Sequence, residues 1–169
     1  MDGFNDNVNF AGEDTIANWI NELYMLTDTL SHKGINVITI IAPAKYHIMA
    51  EYLPDQFKTP VDEKKTNYYQ LKKYLDQKAL PYLDFNQWFK ELKDTISFPL
   101  FSKGGIHWTQ SGSLIAFDSL MKFINSSYNT NYQQLQWSGM SPREPWVEDL
   151  DIVRTLNLLE TLDELTLYY

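Results

Sequence analysis

The segment Ile35-Asn36-Val37-Ile38-Thr39-Ile40-Ile41-Ala42-Pro43 constrains the fold more than any other. It is short, apolar and β-branched, the pattern of a strand covered on both faces rather than one. Pro43 ends it, because proline cannot donate to a ladder. The residues before it follow a different period. Ile16, Trp19/Ile20, Leu23, Leu26 and Leu30 recur at steps of three and four, the stripe of an amphipathic helix. Glu13 and Asp14 open that stripe, where carboxylates favour the helix dipole and can cap free amides. Lys33-Gly34 supplies a stop, with glycine free to take the left-handed conformation. A helix, a tight turn and a buried strand in that order predict an α/β fold with a parallel sheet.

The remaining chain punctuates itself. Residues 44–52 read as a short helix leaving the strand, broken by Leu53-Pro54-Asp55. A helix over 64–78 is expected to turn Tyr68, Leu71 and Leu75 inward, ahead of a second strand over 81–85. Residues 86–93 form a further short helix with Phe89 and Leu92 on its buried side. After a loop over 97–105, Thr109 is a good N-cap for a long helix over 110–125, buried through Leu114, Phe117, Met121 and Ile124. Residues 126–145 read as an irregular connection and 147–162 as a final amphipathic helix. The pattern divides the chain into an irregular lead-in (1–13), an α/β domain (14–126), and a connection with a C-terminal helix (127–169). Two parallel strands are few for a doubly wound sheet, which usually has about five, so the sheet is expected to be incomplete.

Composition narrows the function classes. A chain of 169 residues suits one domain and can bury roughly 70% of its unfolded surface. Twenty-two acidic residues against 14 basic ones give a formal charge of −8, which opposes binding to nucleic acid or anionic membrane. Without cysteine there are no disulfides, thiolate zinc sites or cysteine nucleophiles. No run reaches the roughly 18–20 apolar residues of a membrane helix. The start, Met1-Asp2-Gly3-Phe4-Asn5-Asp6-Asn7, lacks the basic and apolar regions of a secretory signal. The expectation is a cytosolic protein, or one whose natural start lies upstream.

Chemistry concentrates at one histidine of three. His32 sits at the polar end of the first helix, where its charge favours the dipole. His47 follows the buried strand, where open α/β sheets place ligand sites, although a lone histidine there is more often idle. His107 stands after Gly104-Gly105, beside Trp108 and just before the helix capped by Thr109. Glycines let backbone approach a ligand closely, and an imidazole there can exchange protons near neutral pH. The plain alternative is a turn followed by a packed aromatic pair. One histidine cannot supply a multi-histidine metal site, so no metal and no cofactor are expected.

The run Pro99-Leu100-Phe101-Ser102-Lys103-Gly104-Gly105-Ile106-His107-Trp108-Thr109-Gln110-Ser111-Gly112 resembles the Asp-x-His-Trp signature of the alginate O-acetyltransferase-like proteins of AlgX/AlgJ type. These are SGNH-hydrolase-like domains of bacterial polysaccharide acetylation. Ile41-Ala42-Pro43-Ala44-Lys45 with Leu53-Pro54, and Pro81-Tyr82-Leu83-Asp84-Phe85, resemble two further family stretches in the same order. The resemblance implies a three-layer, flavodoxin-like parallel sheet flanked by helices. It implies His107 as catalytic acid/base and Lys45, in a family-like position, as a substrate-binding residue, with an exposed loop lysine as the plain alternative. Trp108 beside the histidine is read as a substrate-binding face for a sugar ring, with core packing as the alternative. It also implies a polysaccharide or acetylated glycan as partner and an extracytoplasmic, periplasmic setting.

Two departures stand out. The family's acid aligns with Gly105, leaving Asp84, Asp149 and Asp151 as unranked replacements. The family's serine follows the histidine in a Gly-Asp-Ser turn, and none occurs after Trp108; Ser111, Ser113, Ser138 and Ser141 are poor substitutes. The expectation is a chain that stops before its serine and is inactive alone unless a partner segment supplies one. The alternative is a noncatalytic carbohydrate-binding or assembly module. Tyr128, Tyr132, Trp137 and Trp146 are read as loop anchors rather than a glycan surface.

Overall fold

A computed structural model describes residues 9–58, 63–136, 141–143, 148–156 and 167–168. Contacts divide the chain into two compact units, one from Met1–Ile41 with Met49–Asp84, the other from Ala42–Ile48 with Phe85–Tyr169.

In the first unit, α1 (Glu13–Ser31) packs against α3 (Asn67–Gln77), and β1 (Thr39–Ile41) pairs in parallel with β2 (Tyr82–Asp84). The register sets Thr39 opposite Tyr82, Ile40 opposite Leu83 and Ile41 opposite Asp84. Ile16 and Ile20 bury the stripe of α1, and Gly34 takes the left-handed conformation (φ 74°) as the stop requires. Ile20, Leu75 and Leu80 form a core cluster against which Leu23, Ile41, Leu71 and Tyr82 pack. Thr66 caps α3 by accepting a hydrogen bond from the Tyr69 amide at 3.1 Å.

Three expectations change here. The strand is shorter than 35–43 and is not covered on both faces: Ile41 joins the core, while Ile40 is 43% exposed. Side chains alternate along a strand, and the described residues cover one face of this pair. Trp19 and Leu26 lie on the exposed edge of α1. Glu13 does not cap α1; its carboxylate instead accepts from Lys73 and from Tyr74 Oη (2.9 Å), and Gly12 is the N-cap.

The second unit contains α2 (Lys45–Ile48), α4 (Phe85–Leu92), α5 (Gln110–Tyr128), β3 (Pro142–Arg143), α6 (Asp151–Thr155) and β4 (Leu167–Tyr168). α2 packs against α4, and β3 pairs antiparallel with β4. Around Phe89, which is fully buried, stand Phe85, Trp88, Phe101 and Trp108, with ring centroids 5.7–6.3 Å away. α5 buries Ser111, Gly112 and Ala116 rather than large apolar residues, and Phe117 is 45% exposed, contrary to the expected stripe. Its first turn approaches other backbone so closely that a side chain on Gly112 would meet the Leu100 carbonyl at 3.0 Å. Of the helix expected over 147–162, the described residues form a 3-10 turn (Glu148–Leu150) and α6; residues 147 and 157–162, Trp137, Ser138 and Trp146 lie outside the described residues, as does most of the lead-in.

At the carboxyl end of β2, Asp84 accepts hydrogen bonds from Tyr68 Oη (2.6 Å) and pairs with Lys72 Nζ (2.7 Å). Burial opposes the Lys72 charge, yet Asp84 and Tyr68 outweigh it and hold the ammonium above the ordinary lysine range. Burial, then the hydrogen bond to Asp76, pushes the Tyr82 hydroxyl up to about 12; burial and Asp84 raise Tyr68 in the same direction. The folded protein therefore holds these protons after the unfolded chain has begun to release them. Their stabilisation is complete below pH 10 and is lost as pH rises toward 12. Denaturant titrations across that window should show stability falling with pH, with a shallower fall in Tyr82→Phe; an unchanged slope would contradict the assignment.

Candidate active site

The histidine loop is closed at its base before any functional group is placed. Phe101 and Trp108 form an antiparallel bridge, and the Thr109 amide donates to the Leu100 carbonyl at 2.9 Å. Thr109 caps α5 as its sequence position predicts, accepting from the Gly112 amide at 3.1 Å while its hydroxyl donates to the Pro99 carbonyl at 2.8 Å. The Trp108 ring stands 5.7 Å from Phe89 and 6.3 Å from Phe85 and is half-buried, so it anchors the loop while keeping an accessible part.

Residues 102–107 project from that base, and the imidazole of His107 is exposed, with 66% of its side-chain surface accessible. Its Nε2 lies 3.4 Å from Asp151 Oδ2, an ion-pair contact rather than a close hydrogen bond. The other Asp151 oxygen accepts from the Ile106 amide at 2.9 Å and from the Ile152 amide at 2.8 Å. Of the three carboxylates left unranked by sequence, Asp151 is the one in contact with His107. Asp84 is engaged by Tyr68 and Lys72, while Asp149 contributes its carbonyl, which accepts from the Ser102 hydroxyl at 2.7 Å.

Lys45 reaches the same loop from the turn after β1. Its ammonium donates to the carbonyls of Ser102 (2.7 Å), Lys103 (3.2 Å) and Gly105 (2.6 Å). Three converging carbonyls match the three hydrogens of an ammonium, so Lys45 clamps the loop and sets a positive charge beside it. Asn86, which sequence reasoning missed, is buried and orders the neighbouring turn. Its Oδ1 accepts from the Ala44 amide at 2.9 Å, and its Nδ2 faces His47 Nδ1 at 3.3 Å. His32 ends α1, exposed, with Nδ1 2.8 Å from the Asp28 carbonyl.

The serines flanking His107 on either side are occupied or enclosed. Ser102 bonds Asp149, the Ser113 hydroxyl donates to the Gln110 carbonyl at 2.8 Å, and Ser111 is buried without a hydrogen-bond partner. Among the described residues no group of three His, Asp or Glu is arranged to hold a metal ion, and no helix is long and apolar enough to cross a membrane. Removing the Lys45 clamp should release the loop. Lys45→Met is expected to cost about 2 kcal/mol, the scale of a charged hydrogen bond lost to backbone carbonyls. Equilibrium denaturation measures it; a change below about 0.5 kcal/mol, the range of ordinary surface substitutions, would show the clamp to be idle.

The comparisons with known proteins can be set against this geometry. The family model described as an SGNH hydrolase-like domain of the acetyltransferase AlgX matches residues 4–158. Among solved structures, the O-acetyltransferase domain of Pseudomonas putida AlgJ is similar in fold, with a TM-score of 0.63 at 22% identity. That likeness covers 94% of this chain and 58% of the other, so the chain spans little more than half of that protein. No curated protein sequence matches. The chain is thus an α/β protein that belongs to the SGNH hydrolase-like, AlgX-type acetyltransferase family.

Proposed function

We propose that this domain serves O-acyl transfer to or from a polysaccharide, with His107 as general acid and base. The observation that carries the proposal is an exposed imidazole on a braced loop with a carboxylate at 3.4 Å. In the step proposed, the imidazole takes the proton of a hydroxyl as that oxygen adds to the ester carbonyl. The carbonyl carbon's bond to the leaving alcohol then breaks, and the imidazolium returns its proton to the departing oxygen. The exposed part of Trp108 offers a face for a sugar ring. Lys45, held by the loop carbonyls, acts through its positive field rather than as the substrate's main donor. An acylated serine is the family's carrier. Ser102, Ser111 and Ser113 supply none, so the hydroxyl comes from elsewhere, and the chain alone is expected to be inert toward a simple ester. Family membership points to an extracytoplasmic, periplasmic setting.

A second reading has its own support. The engaged or enclosed hydroxyls of Ser102, Ser111 and Ser113 suit a carbohydrate-binding or assembly module that keeps the fold without turnover. A chromogenic acetyl ester, assayed with and without a glycan acceptor, separates the two. Acyl transfer predicts acceptor-dependent release that falls about 100-fold in His107→Ala, the usual scale of general-base catalysis. Equal release by both proteins would remove His107 from the chemistry. Brisk release without acceptor, lost in the variant, would place a nucleophile within this chain. Saturable glycan quenching of tryptophan fluorescence with no release identifies the binding module.

A further inference from the structure

The loss of the family acid at position 105 is matched by an intrusion. A methyl group built on Gly105 would lie 2.7 Å from Ser102 Oγ, 2.9 Å from the Asp149 carbonyl oxygen and 3.0 Å from Asp151 Oδ1. The space beside this backbone is filled by the segment that begins α6. That segment is bound, not merely adjacent. The Ile152 and Val153 amides donate to the Gly104 carbonyl at 3.0 and 3.2 Å, using donors that a helix start otherwise leaves unpaired. The Asp149 carbonyl takes the Ser102 hydroxyl, and Asp151 Oδ1 takes the Ile106 amide. With one carboxylate oxygen fixed on the backbone, the other is aimed at the ring of His107.

We infer that Asp151, brought in by the C-terminal segment, is the positioning carboxylate of His107, standing in for an acid at position 105 that this packing forbids. A carboxylate oxygen 3.4 Å from Nε2 attracts an N–H there and repels a lone pair, so it biases the ring toward the tautomer that carries its proton on Nε2 and leaves the Nδ1 lone pair for a substrate proton. A buried or half-buried carboxylate performs the same service in serine–histidine–aspartate sites, where it fixes the tautomer and steadies the imidazolium. Gly105 and Asp151 are then one unit: the missing side chain at one position makes room for the carboxylate at the other. This assignment deepens the acyl-transfer reading and rests on it for its catalytic meaning, but the pairing itself is measurable without substrate.

The test is the imidazole tautomer of His107, read by nitrogen-15 correlation spectroscopy of the full chain well above the ordinary imidazole pKa of about 6.5. The native protein should hold the Nε2–H form. Asp151→Asn keeps the shape and the acceptor for the Ile106 amide, but turns an NH2 toward Nε2. The proton should then move to Nδ1, inverting the major tautomer. Gly105→Ala reaches the pair from the other side: it displaces the carboxylate and should let His107 relax to the tautomer mixture of the urea-unfolded chain. A purely structural Asp151 would leave the tautomer unchanged in Asp151→Asn, and that result overturns the inference, as does an Nδ1–H form in the native protein. Failure of the ester assay with the tautomer switch intact would count against acyl transfer alone.

Discussion

Gly105 has no room for a side chain, and much of the second unit is arranged around that fact. Backbone of the C-terminal segment lies 2.9 Å from where a Cβ would stand, closer than real Cβ contacts come, so the close approach exists only because the residue is glycine. Through this contact a carboxylate some forty residues away in sequence reaches His107. Neither Gly104 nor Gly105 takes a positive φ, so their use lies in proximity rather than in turn geometry. The sequence reading assigned that proximity to a ligand. The structure gives it to the chain's own tail.

The loop is held from three directions by different kinds of interaction. Beneath it, Trp108 and Phe101 tie the base to the aromatic cluster around Phe89, a contribution of dispersion and apolar burial. From one side the Lys45 ammonium gathers three carbonyls that would otherwise face solvent or one another. From another, the start of α6 delivers two amides to Gly104 and a carboxylate to Ile106. A histidine with an exposed ring is ordinarily free to sample several rotamers. Here the backbone that carries it is braced, and the role proposed for Asp151 is to bias the ring on that base. An exposed ion pair contributes only about 0.2–1 kcal/mol to stability, so the proposed value of the contact is orientation.

What could be read from sequence was whatever has a local period or a local cap. The stripe of α1, the stop at Gly34, the strand within 35–43 and the Thr109 cap each depend on residues within one or two turns. The stop and the cap stand where the pattern put them; the stripe loses Trp19 and Leu26 to solvent, and the strand keeps only 39–41. Burial was less legible. Ile40 and Phe117 are apolar in runs that look like core, but whether a face is covered depends on which elements pack over it. The site was half legible. His107 and the missing acid at 105 came from a motif, and Asp151 was among three candidates. Nothing local could choose between them, since the choice depends on contacts across about forty-five residues. Lys45 was read as a substrate-binding residue from its family-like position; that its ammonium donates to the chain's own carbonyls is a tertiary fact no local pattern carries. Asn86 gave no signal at all, being one polar residue in a short helix whose importance comes from burial.

The C-terminal segment holds the histidine loop, and the amide of Ile106 reports on that most directly. The residue is 55% exposed, and its N–H has Asp151 Oδ1 as acceptor at 2.9 Å. Native-state hydrogen exchange should find this amide protected far beyond its exposed surroundings, with the protection lost in Asp151→Ala while amides of α5 keep theirs. Free exchange at Ile106 in the native protein would mean that the tail does not hold the loop, and the braced imidazole would go with it.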